Sequence, residues 1–150
     1  MKLSIRSATS ADLSAMMALE KHAATAAHWS VEQYEALFRV SSPHRVALLI
    51  EEESHVQGFV IARVVGEEWE IENMAIAGPA RRRGLGTRLF GELLDQARAR
   101  GAKAVFLEVR ESNRAARALY EKWAFLESGS RKRYYKDPVE DAILYYLGFA

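Results

Sequence analysis

The chain has 150 residues, of which 49% are hydrophobic and 27% charged, and its 21 Lys and Arg against 20 Asp and Glu leave a net charge of +1. This length corresponds to one domain, residues 1–150, with a sizeable core, and the composition excludes disordered and collagen-like chains. The apolar runs are far shorter than the roughly 18 residues that cross a bilayer, and the first residues carry no secretory signal. The sequence therefore predicts a soluble, cytoplasmic protein.

The sequence contains no cysteine, which excludes disulfides, thiolate zinc sites and a cysteine-borne acyl intermediate. The histidines lack the i, i+4 spacing of a helical zinc site, and no acidic calcium-loop spacing occurs. These residues are His22, His28, His44 and His55. The sequence thus predicts that the protein holds no metal ion.

The first half of the chain predicts a strand, two helices and an antiparallel meander. Residues 3–8 alternate as a strand does, and Thr9 offers a helix start. Ser30 and Gln33 form a capping box for a second helix. The following segment is rich in β-branched and aromatic residues separated by short turns. Its strands are predicted at residues 46–50, 56–65 and 69–76.

The second half predicts an amphipathic helix that ends near Gly101, a strand, a helix and a closing hairpin. The strand covers residues 104–109, and Asn113 caps the helix that follows it. The predicted order is β-α-α-β-β-β-α-β-α-β-β. The fold class is α/β (α+β), with a mixed, mostly antiparallel sheet.

Charge is unevenly distributed behind the net value of +1. Residues 51–72 carry seven Glu and one Arg, and residues 78–103 carry seven Arg and Lys against Glu92 and Asp95. The basic stretch coincides with a glycine-rich turn, which predicts a site for an anion. The acidic stretch favours a basic peptide as partner, although a charge run also suits a solvated surface.

The glycine-rich turn lies between a strand and an amphipathic helix. Glycines allow the backbone to approach a ligand closely, and the unpaired N–H groups and dipole of a helix start attract an anion. Arginines supply planar donors for phosphate oxygens. A tight strand-to-helix turn alone also accounts for Gly-x-Gly, but the arginines favour a phosphate-binding loop. Its residues are Arg81, Arg82, Arg83, Gly84, Leu85, Gly86 and Thr87.

Several anions are excluded by the residues of this turn. It lacks the Gly-Lys-Ser/Thr of an NTPase P-loop, and Leu89 stands where a dinucleotide-binding turn needs its third glycine. One arginine cluster in a nearly neutral chain is a poor electrostatic footprint for nucleic acid. We therefore expect no direct nucleic-acid partner.

The Arg-Arg-Arg-Gly-Leu-Gly sequence at residues 81–86 resembles the Arg/Gln-x-x-Gly-x-Gly/Ala motif of the GNAT superfamily of acyl-CoA-dependent N-acetyltransferases. The predicted strand order is similar to that fold, and the resemblance covers nearly the whole chain. It is closest to the RimI-type ribosomal-protein-alanine N-acetyltransferases. The matching stretches include Asn-Met-Ala-Ile at 73–76, Leu-Glu-Val-Arg at 107–110, Ala-Leu-Tyr-Glu at 118–121, Tyr-Tyr at 134–135 and Glu-Asp-Ala at 140–142.

The resemblance implies that acetyl-CoA is the cofactor and that residues 81–87 hold its pyrophosphate. Backbone groups of Met74, Ala75 and Ile76 would bind the pantetheine arm together with the side chain of Asn113, which also suits a helix cap. A backbone N–H on this fourth strand is the natural oxyanion donor. Acetyl transfer would be direct, within a ternary complex.

Glu108 is the candidate general base. It is a lone acid in an apolar strand, where burial would raise its pKa toward the working range, although alternation alone also allows it to face solvent. The base of the RimI-type enzymes occupies this position. Glu72 is the alternative base, because many GNAT enzymes use a glutamate on the fourth strand.

Aromatic residues complete the predicted site. Tyr120 lies on the apolar stripe of the last helix, where a core role is common, and the resemblance implies that it protonates the departing thiolate. The same resemblance assigns Trp29, Tyr134 and Tyr135 to the peptide-binding cleft, although all three also suit packing.

The sequence departs from the family pattern at residues 77–80, at His28 and at Arg133, none of which is in the proposed catalytic pair. It predicts an N-terminal acetyltransferase whose acceptor is the basic N-terminus, with alanine first, of a ribosomal protein. Two alternatives stay open. One is a lysine or small-molecule amine acetyltransferase of the same fold, and the other is a non-catalytic acyl-CoA-binding or RNA-contacting module.

Overall fold

Seven strands form one sheet in a computed structural model that describes residues 2–23, 29–39, 44–78 and 83–149. The strands are β1 (Leu3–Ser7), β2 (Arg45–Glu52), β3 (His55–Val65), β4 (Glu68–Ile76), β5 (Ala104–Arg110), β6 (Leu126–Tyr135) and β7 (Glu140–Gly148). Their order in the sheet is β1-β2-β3-β4-β5-β7-β6. Only the β4–β5 pair is parallel. The predicted mixed, mostly antiparallel sheet is confirmed.

The helices follow the predicted start and stop signals. They are α1 (Leu13–Glu20), α2 (Val31–Ala36), α3 (Leu85–Ala99) and α4 (Arg114–Lys122), with a 3₁₀ turn at Ser10–Asp12 before α1. Ser30 accepts a hydrogen bond from the Gln33 backbone N–H at 3.2 Å, as the capping box predicts. Asn113 caps α4 in the same way, at 3.1 Å from the Ala116 backbone nitrogen.

The sheet carries helices on both faces, and each face has its own apolar core. On one face α3 and α4 pack on the middle strands, and this core includes Leu48, Val60, Leu89, Phe90 and Leu107. On the other face α1 and α2 cover β2 and β3, in a core that includes Met16, Tyr34, Phe59 and Ile61. On this face α1 and α2 lie over β2, β3 and β4. They do not cover the part of the same face that β5, β7 and β6 form.

A β-bulge in β4 changes which of its residues face α3. Ile61 of β3 pairs with Asn73 whereas the next residue pairs with Ile71, so Glu72 is the extra residue. Before the bulge, odd-numbered residues such as Ile71 lie in the α3 core; after it, Met74 and Ile76 do. The bulge therefore turns Asn73 toward α1 and α2.

Close packing of β3 on the end of β4 leaves no room for a side chain at Gly58. A Cβ atom there would lie 2.5 Å from Ile76 Cδ1 and 3.0 Å from the Ala75 carbonyl oxygen. We expect Gly58→Ala to lower the free energy of unfolding by about 1–3 kcal/mol, because the backbone carbonyl cannot move without disturbing the ladder. Denaturant unfolding measures the change.

Gly91→Ala is the matched control. Gly91 lies within α3, and a Cβ atom there would meet no atom within 4 Å. Alanine is the better helix former, so this variant should gain about 0.5–1 kcal/mol. Equal free energies of unfolding for the two variants would contradict this account of Gly58.

Candidate active site

The cleft of the site is the gap where β4 and β5 separate. The two parallel strands pair over three residues and the last pair is Glu70 with Phe106, yet β4 continues to Ile76 and β5 to Arg110. Helix α3 follows β4 and α4 follows β5 along the chain, so both helices begin at this end of the sheet. Clefts at the carboxyl ends of parallel strands are common ligand sites.

The start of α3 has the geometry of a phosphate-binding turn. Gly84 adopts φ +77°, a left-handed conformation that glycine tolerates, and the helix begins at the next residue. A Cβ atom at Gly86 would lie 3.4 Å from Ile76 Cγ1, so the helix start sits close to the end of β4. Arg81 and Arg82 lie outside the described residues.

Arg83 is bound to the sheet. Its guanidinium makes two hydrogen bonds to the carboxylate of Glu52 at the end of β2, one of them at 2.7 Å, and this contact lowers the pKa of Glu52. Thr87 on α3 accepts a hydrogen bond from the Trp123 indole N–H at 3.2 Å. The predicted loop is thus anchored to β2 on one side and to the end of α4 on the other.

Glu108 lies on β5, two residues beyond the last pair with β4. Leu107 and Val109 beside it are in the α3 core, so Glu108 points to the opposite face. Its side chain is only 10% exposed, and Oε2 is buried with no hydrogen-bond partner in the described part of the chain. Burial therefore raises the pKa of Glu108, and Arg131, at 3.3 Å from Oε1, counteracts this.

Tyr120 lies on α4 and is part of the core on the α3 face of the sheet. It is buried at 4% exposure, and its ring lies 6.2–6.3 Å from the rings of Trp123, Phe125 and Tyr145. Burial raises its pKa well above the ordinary tyrosine value, so the hydroxyl keeps its proton at physiological pH. The core role and the proton-donor role are therefore compatible.

Tyr135 links the two candidate catalytic groups. Burial, followed by the charge of Glu108, raises the pKa of Tyr135 to about 12. Tyr135 in turn contributes to the raised pKa of Tyr120. The two predicted groups thus lie on opposite faces of the sheet, and Tyr135 is affected by Glu108 and in turn affects Tyr120.

Glu72, the alternative base, is held by arginines. Arg45 Nε lies 2.6 Å from its Oε1, and Arg63 Nε lies 3.9 Å from its Oε2. A carboxylate in such contacts must lose them before it can accept a proton from an amine. The structure therefore offers Glu108, and not Glu72, as the carboxylate with an unused oxygen.

The predicted peptide-binding aromatics lie on the Glu108 face. Trp29 is half-buried, its ring is 5.4 Å from Tyr34, and the Arg45 guanidinium lies 5.8 Å from its centroid. Tyr134 and Tyr135 form a T-shaped pair at 5.2 Å on the β6–β7 hairpin. Their role in binding a peptide stays a prediction, and His28 lies outside the described residues.

A buried polar cluster under this cleft is absent from the sequence-based prediction. Asn73 donates to the Tyr34 hydroxyl at 2.9 Å and lies 3.5 Å from the Glu20 carboxylate. Glu20 also accepts a hydrogen bond from the Trp29 backbone N–H. The available signal was Asn73 itself, a polar residue among buried apolar neighbours in a strand.

The acidic stretch at 51–72 is used within the chain. Its members contact Arg6, Arg83, Arg63, Arg45, Lys103, Tyr146 and the Lys2 backbone. Five of these glutamates pair with a cation of the chain, whereas Glu53 and Glu68 contact a backbone N–H and a tyrosine hydroxyl, so the preference for a basic peptide stays a prediction. Among the residues that the structure describes, no His, Cys, Asp or Glu cluster could hold a metal ion, and no helix is long and apolar enough to cross a membrane.

The profile of the Acetyltransferase (GNAT) family matches residues 13–125. The chain belongs to this family. The ribosomal protein bS18-alanine N-acetyltransferase of Salmonella typhimurium is 36% identical over 144 residues, which cover 95% of this chain and 93% of that protein. Membership of the GNAT family confirms the predicted fold, the acetyltransferase class and the use of acetyl-CoA.

Solved structures of the GNAT fold agree with this assignment. The ribosomal-protein-S18-alanine N-acetyltransferase of Escherichia coli has a TM-score of 0.84 and 31% identity, covering 99% of this chain and 95% of that one. Arabidopsis thaliana NAA60 in complex with acetyl-CoA has a TM-score of 0.84 at 16% identity, with 99% of each chain covered, and shares the fold.

The buried cluster gives a stability prediction for this GNAT chain. Tyr34→Phe removes the hydroxyl that accepts from Asn73 and lies against Glu20, leaving buried polar groups without this partner. We expect a loss of about 1–3 kcal/mol in the free energy of unfolding, measured by denaturant titration. Tyr134→Phe is the control, since Tyr134 is 49% exposed, and it should change stability by less than about 0.5 kcal/mol. Equal effects would contradict a structural role for the cluster.

Proposed function

We propose that this protein transfers the acetyl group of acetyl-CoA to the N-terminal α-amine, that of an alanine, of a ribosomal protein. The observation that carries the proposal is the buried, unpartnered oxygen of Glu108 at the gap between β4 and β5. The names of the Salmonella and Escherichia coli relatives supply the acceptor. An acceptor of this kind places the reaction in the cytoplasm.

The residues at the cleft fit acetyl-CoA, which supplies a thioester acyl group when bound. The N–H groups at the start of α3, after the left-handed Gly84, suit its phosphates. Arg81 and Arg82 would add positive charge, and Arg83 would do so on exchanging its contact with Glu52 for the phosphates. Leu85, Gly86 and Thr87 belong to the same turn. Met74, Ala75 and Ile76 would contribute backbone groups along β4, and Asn113 would contribute from the start of α4.

Glu108 would act as the general base. An α-amine has an ordinary pKa of about 7.7–8.0, so a substantial fraction is already neutral near pH 7.5, whereas a lysine with a pKa of about 10.4 is almost wholly protonated. A carboxylate whose pKa is raised by burial is a modest base. Such a base suits an α-amine better than a lysine side chain.

Tyr120 would act as the general acid. Its raised pKa keeps the proton on the hydroxyl until the acyl group is transferred. This proton would then pass to the sulfur that leaves. Its position on the α4 face separates the acid from Glu108 on the other face. This arrangement suits direct transfer, because base and acid serve opposite ends of the reacting group.

The acceptor peptide would lie on the Glu108 face. Trp29 on one side and Tyr134 and Tyr135 on the other provide aromatic surfaces for its first residues. Glu53 and Glu68, which contact a backbone N–H and a tyrosine hydroxyl, are the members of the acidic stretch that would favour a basic peptide.

Substitution of the catalytic pair tests these roles. Glu108→Gln and Tyr120→Phe should each lower kcat by about 10²–10⁴-fold, because each removes a proton-transfer group. Both should leave the Kd for acetyl-CoA, measured by calorimetry, within about threefold, since neither group belongs to the phosphate-binding turn.

Glu111→Gln is the matched control, because Glu111 is an exposed glutamate directly after the end of β5. It should retain normal turnover. Full activity of Glu108→Gln together with a large loss in Glu72→Gln would assign the base to Glu72 instead.

The acceptor is tested by mass spectrometry of peptides incubated with acetyl-CoA. A ribosomal-protein N-terminal peptide that begins with alanine and contains an internal lysine offers both amines in one molecule. We expect acetylation of the α-amine, located by fragmentation, because that amine is the more often neutral. Exclusive lysine acetylation would refute the proposed specificity. Binding of acetyl-CoA with no product from any peptide would favour a non-catalytic acyl-CoA-binding module or an acetyltransferase for small-molecule amines.

A further inference from the structure

Arg131 is a cation placed at the mouth of the buried Glu108 carboxylate. Its Nε lies 3.3 Å from Glu108 Oε1, and the two side chains are 60% and 10% exposed. The arginine thus covers the solvent side of the carboxylate, while Oε2 remains on the buried side. The Arg131 guanidinium also lies 5.3 Å from the ring centroid of Tyr134.

Sheet register brings the two residues together although they lie on strands that are not neighbours. Glu108 pairs with Leu144 of β7, which pairs with Gly129 of β6. Directly paired residues share a face of the sheet, so Gly129 is on the Glu108 face. Arg131 lies two residues after Gly129 on β6 and is therefore on the same face. A Cβ atom at Gly129 would meet no atom within 4 Å, so the surface at this position is open.

A wide bulge in β6 follows Arg131. Between the pairs Arg131–Ala142 and Tyr135–Glu140, β6 has three residues where β7 has one. Arg133 within this bulge has φ +52°, and its backbone N–H donates to Asp141 at 2.8 Å. Bulges redirect side chains next to active sites, and this one holds the Tyr pair beside Arg131.

The charges that face Glu108 come from two other strands. Glu70 of β4 raises the pKa of Glu108, in addition to burial, and Glu70 is itself paired with Arg63 at 2.7 Å. Tyr135 is neutral at working pH because its pKa is raised to about 12, and Leu144 of β7 carries no charge. Arg131 is therefore the group that opposes both burial and Glu70.

We propose that Arg131 is a positioning residue that keeps Glu108 ionised in the cleft and thereby sets the lower pH limit of the reaction. Arginine suits this role because its guanidinium keeps its charge at every working pH and so does not itself take the proton. The consequence for catalysis rests on the proposed function of Glu108, whereas the electrostatic effect on Glu108 does not.

The electrostatic effect is measured by NMR titration of protein labelled with ¹³C at the glutamate carboxyl carbon, with Glu108→Gln to assign the signal. Arg131→Gln should move the Glu108 midpoint upward by about 0.5–1 pH unit, because a neighbouring positive charge is lost. Arg131→Lys should restore most of the original midpoint. Lys132→Gln is the control, since Lys132 is 86% exposed and nearest to Asp141, and it should leave the midpoint unchanged.

The catalytic consequence is measured as kcat/KM against pH, expressed per neutral acceptor amine so that the acceptor's own ionisation divides out. In Arg131→Gln the acid limb should move upward by the same amount while the plateau at higher pH is retained. A merely structural role would lower the plateau and leave the limb in place, and that result would overturn the catalytic part of the proposal.

An unchanged Glu108 midpoint in Arg131→Gln would overturn the proposal itself. Circular dichroism establishes whether Arg131→Gln is folded. If it is not folded, the same titration of Arg131→Met, which keeps an aliphatic stem without the charge, decides the question. A shifted midpoint with no acetylation of any peptide would leave Arg131 assigned and refute the proposed acceptor instead.

Discussion

The separation of β4 and β5 is the constraint on which the whole site depends. Parallel neighbours normally stay hydrogen-bonded along both strands. Here β4 and β5 pair over three residues only, and beyond them β5 pairs with β7 while β4 pairs with β3. The bulge at Glu72 adds a residue to β4 and changes the faces of all that follow. A sheet that is otherwise continuous is thereby opened at one end, between the starts of α3 and α4.

Access from both faces follows from this opening. The α3 and α4 face carries Tyr120 and the turn proposed to bind phosphate, and the other face carries Glu108 with the aromatic residues proposed for the acceptor peptide. A donor and an acceptor can then meet in the gap without sharing a binding surface. Such a geometry suits direct transfer, and the absence of cysteine from the chain is consistent with it.

Electrostatic balance decides what Glu108 can do. Burial raises the pKa of a carboxylate and makes it a better base, but too large a rise would leave it protonated and useless. Glu70 adds to the rise and Arg131 opposes it. Elsewhere the same pairing of opposite charges is structural: Glu52 anchors Arg83, and Glu72 is held by Arg45.

Local signals in the sequence predicted most of the elements. Capping and alternation depend on local backbone chemistry, so they can be read from neighbouring residues in the chain. Examples are the caps at Ser30 and Asn113, the helix end near Gly101 and the change of period after residue 45. The motif at 81–86 and the resemblance it carries indicated the family and the coenzyme. The same reasoning singled out Glu108 and Tyr120, but alternation could not decide whether Glu108 faces the cleft.

Tertiary structure alone decided the contacts between residues far apart in the chain. Arg131 meets Glu108 across two strands, Asn73 meets Tyr34 and Glu20 from three elements, and the acidic stretch finds its arginines. None of these pairs has a local spacing rule, since strand order and register place them. The sequence by itself thus determined the elements, the family and the chemical groups, whereas packing decided that Glu108 keeps one buried oxygen without a partner while arginines contact both oxygens of Glu72.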